Sequence, residues 1–227
     1  MDLSKIGEYF SPVSVRERIH IIGCGSIGST VAENLARCGL INFTLWDFDL
    51  VETHNIVNQM FRLQDVGRNK AEALLDILSE INPDVRAKAK IKKDGWNGEP
   101  LSGYVFLAVD SIDLRRRIVE GLMQNKSVVA VFDFRTGLED AQYYAARWSS
   151  LRQRESLLGS MNFSDGDVKE ETSACGIVLG VCPTVRTVCA IGCANFMNLV
   201  RGKEIITFAI CAPFGGRMVT ETEQGVS

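Results

Sequence analysis

The chain is predicted to be α/β, with a doubly wound sheet, on three observations. Apolar runs of strand length alternate with segments of helical spacing over residues 18–133. Gly23, Gly25 and Gly28 fall between the first such strand and the first helix. Two strands end on aspartate, Asp47 nineteen residues after Gly28 and Asp110 further on. Together these give a Rossmann-like, mostly parallel sheet with an antiparallel C-terminal extension, and the 227 residues fit one domain of this class.

Each element has its own signal. Residues 1–17 are a short lead-in containing Pro12, and the first strand occupies about 18–22. Ile27, Val31, Leu35 and Cys38 place a helix over 26–38, stopped by Gly39. The second strand is "NFTLW" at 42–46. The stretch from Asp47 to Gly67 is a loop with one helical turn, and a helix follows over 69–81, with Ala73, Leu74, Ile77, Leu78 and Ile81 on one face. Val85–Ile91 alternates as a strand with one wet face. "YVFLAVD" at 104–110 is apolar on both faces, as a central parallel strand should be. A charged helix from Ile112 and the strand "SVVAVFD" at 127–133 complete the alternation.

Beyond 133 the character changes. "LEDAQYYAARW" reads as an antiparallel strand, and the Ser-rich, weakly periodic stretch 149–174 as a mobile surface or crossover loop. An apolar helix spans 183–200, and "EIITFAICAP" with "GGRMVTE" forms a closing hairpin.

Composition narrows the partners. With 25 basic and 28 acidic residues the net charge is −3, and no basic stripe exists of the kind that binds nucleic acid. No apolar run approaches the ~20 residues that span a bilayer, and the N-terminus lacks signal-peptide organisation. Seven cysteines without paired spacing fit a reducing cytoplasm, and Cys189 and Cys193 read as core packing rather than zinc ligands.

The chemistry sits where parallel sheets bind ligands, beyond the carboxyl ends of the strands. Glycines at 23, 25 and 28 permit a tight turn and close backbone approach, and the helix that follows offers N–H groups to phosphate. Asp47 lies at ribose-binding distance from that turn. Asn55, Asn58, Gln59 and Arg62, then Lys70 at a helix start, add amides and cations suited to a triphosphate. The two histidines, His20 and His54, offer little to a hydride-transfer site, and His20 reads as a core or edge residue.

On "DFDLV", "HNIVNQ", "GRNK" and "VDS", the chain resembles the ThiF/MoeB/HesA family, bacterial relatives of ubiquitin-activating enzymes. That resemblance covers about 18–135, with a weaker echo over 172–202. It implies an ATP- and Mg²⁺-dependent adenylyltransferase acting on the C-terminal glycine of a small ubiquitin-like or sulfur-carrier protein ending in Gly-Gly, and a homodimer. It assigns nucleotide binding to Gly23, Gly25, Ser26, Gly28, Asp47, Asp49, Asn55, Asn58, Gln59, Lys70, Asp110 and Ser111, with Asp110 holding Mg²⁺. The catalytic residues it implies are Lys70, Asp110, Arg62 and Cys175, the last falling where some members carry a cysteine that takes the activated carboxylate as a thioester or persulfide. Asn58 replaces the family arginine, which makes Arg62 a candidate substitute; Arg115 stands where the family keeps an arginine, although Arg115–Arg117 reads more simply as a solvated face. Two other readings remain open: a nucleotide-binding pseudo-enzyme or scaffold subunit, and an NAD(P)-dependent oxidoreductase. Within the family, a small-molecule or tRNA carboxylate is a further substrate class.

Overall fold

A computed structural model describes residues 1–167, 171–174 and 176–226. Strands β1 (Ile19–Ile22), β2 (Phe43–Trp46), β3 (Lys90–Lys92), β4 (Gly103–Leu107) and β5 (Val128–Thr136) run parallel; β6 (Ala141–Arg147), β7 (Ile206–Ala212), β8 (Arg217–Thr222) and β9 (Gly225–Val226) extend the sheet antiparallel. The sheet order is β3-β2-β1-β4-β5-β6-β7-β8-β9. The winding reverses between β1 and β4, and that gap opens the crevice in which such sheets bind ligands.

Helices cover both faces. On one side α1 (Ser26–Arg37), α2 (Lys70–Ile81) and α6 (Cys182–Val200) pack over Ile19, Ile21, Phe43, Phe106, Phe132 and Phe134. On the other, α4 (Ile112–Leu122) and α5 (Leu151–Gly159) cover Ile22, Trp46, Val105, Leu107 and Val131. The central strands β1, β2 and β4 are buried on both faces, which is why they read as unbroken apolar runs.

Two expectations are corrected. Residues 85–91 are not one strand: Val85–Lys88 forms a helical turn, α3, before β3 begins at Lys90. Pro83 favours that turn through its fixed φ, and the Asn82 carbonyl accepts the Val85 N–H at 3.0 Å, so the period-2 pattern is overridden. Within the stretch 149–174 the described residues are not simply loop, and 168–170 lie outside the described residues. Ser150 caps α5 by accepting the Gln153 N–H at 3.4 Å, and a further short turn forms over Asp165–Asp167. Only Leu157 of α5 is fully buried, so the helix carries almost no periodic apolar signal.

Candidate nucleotide site

The glycine turn is sterically obligatory. Gly23 has φ of +91°, and a Cβ there would lie 2.7 Å from the Ala108 backbone of β4's extension. A Cβ on Gly28 would sit 1.8 Å from the Gly23 carbonyl oxygen. Gly25 precedes α1 with no side-chain cap and no acid in the first turn, so this helix end presents its N–H groups to an anion.

Asp47 ties the end of β2 to that turn. One carboxylate oxygen accepts the Cys24 N–H at 2.6 Å, and the other accepts the Asp49 N–H at 2.8 Å. Burial pushes its carboxyl up while those two N–H groups pull it down. Burial also pushes the Cys24 thiol up, so this cysteine is an inert neighbour.

The next shell couples β2 to α2. Asn69 caps α2 by accepting the Ala71 and Glu72 N–H groups, and its amide donates to the Asp47 and Asp49 carbonyls at 3.0 and 3.2 Å. Lys70 is buried, and its Nζ lies 2.8 Å from Asp49 Oδ2. Asn55, also buried, accepts the Glu52 N–H at 2.8 Å and holds the turn Thr53–Val57. Gln59 reaches the glycine turn, its Nε2 4.0 Å from where a Gly25 Cβ would stand; its Oε1 is buried without a hydrogen-bond partner. An orphaned buried carbonyl costs about 1–3 kcal/mol unless a ligand donates to it.

Across the crevice Asp110 is exposed, and its Oδ1 accepts the Ser111 N–H at 2.9 Å. Ser111 caps α4 through the Leu114 N–H at 3.1 Å. No group of three or more His, Cys, Asp or Glu poised for a metal exists among the described residues. Asp110 alone still suits Mg²⁺, which is commonly held by one or two carboxylates, water and substrate phosphates.

The remaining candidates divide. Arg62 is exposed and forms a two-point pair with Glu80 near the C-terminal end of α2, with NH2–Oε2 at 2.6 Å, whereas Lys70 opens that helix. Asn58 faces the segment before α6, its Nδ2 2.7 Å from where a Gly180 Cβ would stand. Cys175 lies outside the described residues. Cys189 and Cys193 are buried, their thiols directed at the Ile27 and Val31 carbonyls of α1.

Sequence reasoning placed Arg115 on a solvated face, and the structure corrects this. Arg115 is buried, pairs with the fully buried Asp133, and donates to the Phe134 carbonyl at 2.7 Å and to the Val109 carbonyl beside Asp110. Arg135 is the second partner of Asp133, at 2.7 Å. The legible signal for this network was the aspartate interrupting the apolar strand "VVAVFDF".

This geometry defines a doubly wound α/β protein with a phosphate-type glycine turn and a cation beside it. Residues 2–132 match the ThiF family, and the chain belongs to it. It is 33% identical over 142 residues to ubiquitin-like modifier-activating enzyme 5 of Dictyostelium discoideum, covering 55% of this chain and 37% of that protein. It is 41% identical over 73 residues to the ATP-dependent ubiquitin transferase-like protein Cap2 of Enterobacter hormaechei, covering 32% of this chain and 12% of Cap2. The chain thus spans well under half the length of these relatives. Among solved structures, E. coli MccB with MccA-N7isoASN superposes with a TM-score of 0.73 at 15% identity, over 95% of this chain and 67% of that one. PaaA gives 0.68 at 19% identity, over 92% and 74%. Both likenesses concern the fold.

Proposed function

We propose that the chain is an ATP-dependent adenylyltransferase that activates the C-terminal glycine carboxylate of a small ubiquitin-like or sulfur-carrier protein. The observation that carries this reading is the convergence on one turn of the uncapped α1 N-terminus and the Asp47 carboxylate, with the Gln59 amide nitrogen beside it. A nucleotide suits both, its phosphates at the helix and its ribose hydroxyls donating to the carboxylate. The names of the relatives, modifier-activating and ubiquitin transferase-like, supply the direction of the chemistry.

In this reading the substrate carboxylate attacks the α-phosphate and pyrophosphate leaves. Lys70 is the chain's own cation for the phosphates, and Asp47 orients the ribose. Asp110 would hold Mg²⁺, which would supply neutralising charge beside the phosphates. Cys175 serves as the acyl-accepting thiol, its sulfur forming a thioester as the acyl–phosphate bond breaks and AMP leaves, so Cys175→Ser retains adenylation and loses a thioester seen on non-reducing gels. A homodimer belongs to the proposal through the family resemblance. Cytoplasmic location rests on the reduced-thiol composition; among the described residues no helix is long and apolar enough to cross a membrane.

ATP–pyrophosphate exchange dependent on a carrier ending in Gly-Gly tests the proposal. Measured ATP binding with no exchange for any carrier sinks it. That outcome would favour a second reading, a nucleotide-binding scaffold subunit, for which the neutral Asn58 and the engagement of Arg62 by Glu80 already speak.

A further inference from the structure

Between α5 and the short turn Asp165–Asp167, the chain is fastened across the first turn of α4. Arg135 donates to the Ser160 carbonyl and hydroxyl, both at 2.8 Å. Arg116 donates to the Met161 carbonyl at 2.5 Å and to the Phe163 carbonyl. The last fastening is Asp165. Its carboxylate accepts the Ser111 hydroxyl at 2.7 Å, the Ile112 N–H at 2.5 Å and the Asp113 N–H at 3.4 Å.

The first three N–H groups of α4 are therefore all consumed from within the chain, two by Asp165 and that of Leu114 by Ser111. The α1 N-terminus, on the other side of the crevice, has no such side-chain cap. Ser111 stands between two carboxylates: its hydroxyl donates to Asp165 and its N–H to Asp110 Oδ1. The hydrogen bonds from Ser111 and the two backbone groups hold the Asp165 carboxyl below its ordinary range, so it is ionised at neutral pH.

We infer that Asp165 is a positioning residue for Asp110, acting through Ser111. The role given to Asp110 rests on the adenylation reading above; the mechanical coupling does not. Asp165 fixes the Ser111 hydroxyl and the start of α4, and the Ser111 backbone N–H then holds Asp110 in one rotamer. Without Asp165, two N–H groups of the first turn lose their acceptor, the turn frays, and the clamp on Asp110 loosens. Partners that orient a metal-binding carboxylate are worth roughly 10–100-fold in metal affinity.

The test uses the full chain in three forms: wild type, Asp165→Ala, and Asp165→Asn, which keeps an acceptor oxygen. In nucleotide-free protein, Asp165→Ala speeds amide exchange at Ile112 and Asp113, and side-chain scalar couplings of Asp110 pass from one dominant χ1 rotamer to an average. Asp165→Asn is intermediate. In ATP binding by calorimetry, the Mg²⁺ concentration for half-maximal effect rises roughly tenfold in Asp165→Ala. Asp110→Ala abolishes the Mg²⁺ effect, and adding Asp165→Ala changes nothing more. Unchanged exchange at Ile112 and Asp113 overturns the inference. So do faster exchange with unchanged Asp110 couplings, which leaves Asp165 a helix cap only, and altered couplings with unchanged Mg²⁺ dependence. If the wild type binds no ATP, the adenylation reading fails, while the exchange and coupling results still decide the positioning.

Discussion

Lys70 Nζ and Asp49 Oδ2 lie 2.8 Å apart, and the pair stands on one backbone unit, because the Lys70 N–H also donates to the Asp49 carbonyl at 2.9 Å. The partners are unequal. Only 11% of the Lys70 side chain is exposed against 49% for Asp49. Asp49 can rehydrate if the lysine is lost, so Lys70→Met should change stability by no more than about 1 kcal/mol. Its effect on chemistry should be far larger, roughly 10²–10³ in pyrophosphate exchange, the scale for losing one preorganised charge partner. Asp49→Asn should stay within a few-fold of wild type. Equal losses in the two variants would show that the ion pair, not the ammonium, matters.

Gly28 is the least replaceable residue of the turn. A Cβ would stand 1.8 Å from the Gly23 oxygen, a contact of backbone with backbone that no rotamer can relieve. Gly28→Ala should cost about 3 kcal/mol, at the upper end for overpacked sites, and weaken ATP binding further as the turn opens. Gly67→Ala is the contrasting case, a φ of +86° with nothing within 4 Å of the Cβ position, whereas Gly28 is helical and fails on space alone. Urea midpoints and nucleotide titrations separate the two.

His20 should make stability fall with acid. The ring is buried beneath Trp46, whose indole N–H donates to Nδ1 at 3.1 Å, and burial, aided by the charge of Arg18, pushes it down to about 4. The ordinary value of 6.5 applies to the unfolded chain, which therefore takes up a proton that the folded chain refuses. This stabilisation is complete above about pH 6.5 and is lost as pH falls toward 4, roughly 2 kcal/mol of it between pH 7 and pH 5. His20→Gln, which can still accept from Trp46, should flatten that part of the urea-midpoint profile. An unchanged slope would place the acid sensitivity elsewhere.

These residues also separate what is legible in the sequence from what only the fold brings together. The glycine turn and the double-sided strands were legible because their constraints are local, set by period, φ and burial. α5 was not, because tertiary contact rather than periodicity holds it: Leu157 joins the α4-side core, and the Gln153 amide donates to Glu223 at 3.0 Å. The Asp165 contact spans 53 residues and leaves no trace in local pattern. Arg115 misled for the opposite reason. Three consecutive arginines imply a wet face, yet their directions differ: Arg115 is buried, Arg116 half-buried and Arg117 exposed.

Arg115 carries the last prediction. Its guanidinium and that of Arg135 share the Asp133 carboxylate, which is wholly removed from solvent, so neither arginine can leave without consequence. Arg115→Ala strips one of the two cations from a buried carboxylate and removes a donor from the Val109 and Phe134 carbonyls, a change of about 3–5 kcal/mol. Arg115→Lys should recover only part of this, since one ammonium cannot reach three oxygens in the planar fork that guanidinium provides. The companion Arg135→Ala should cost less, because its side chain is 15% exposed against 6% for Arg115. Chemical denaturation of the three variants orders them; an Arg135→Ala variant less stable than Arg115→Ala would mean that Arg135 is the main support of Asp133.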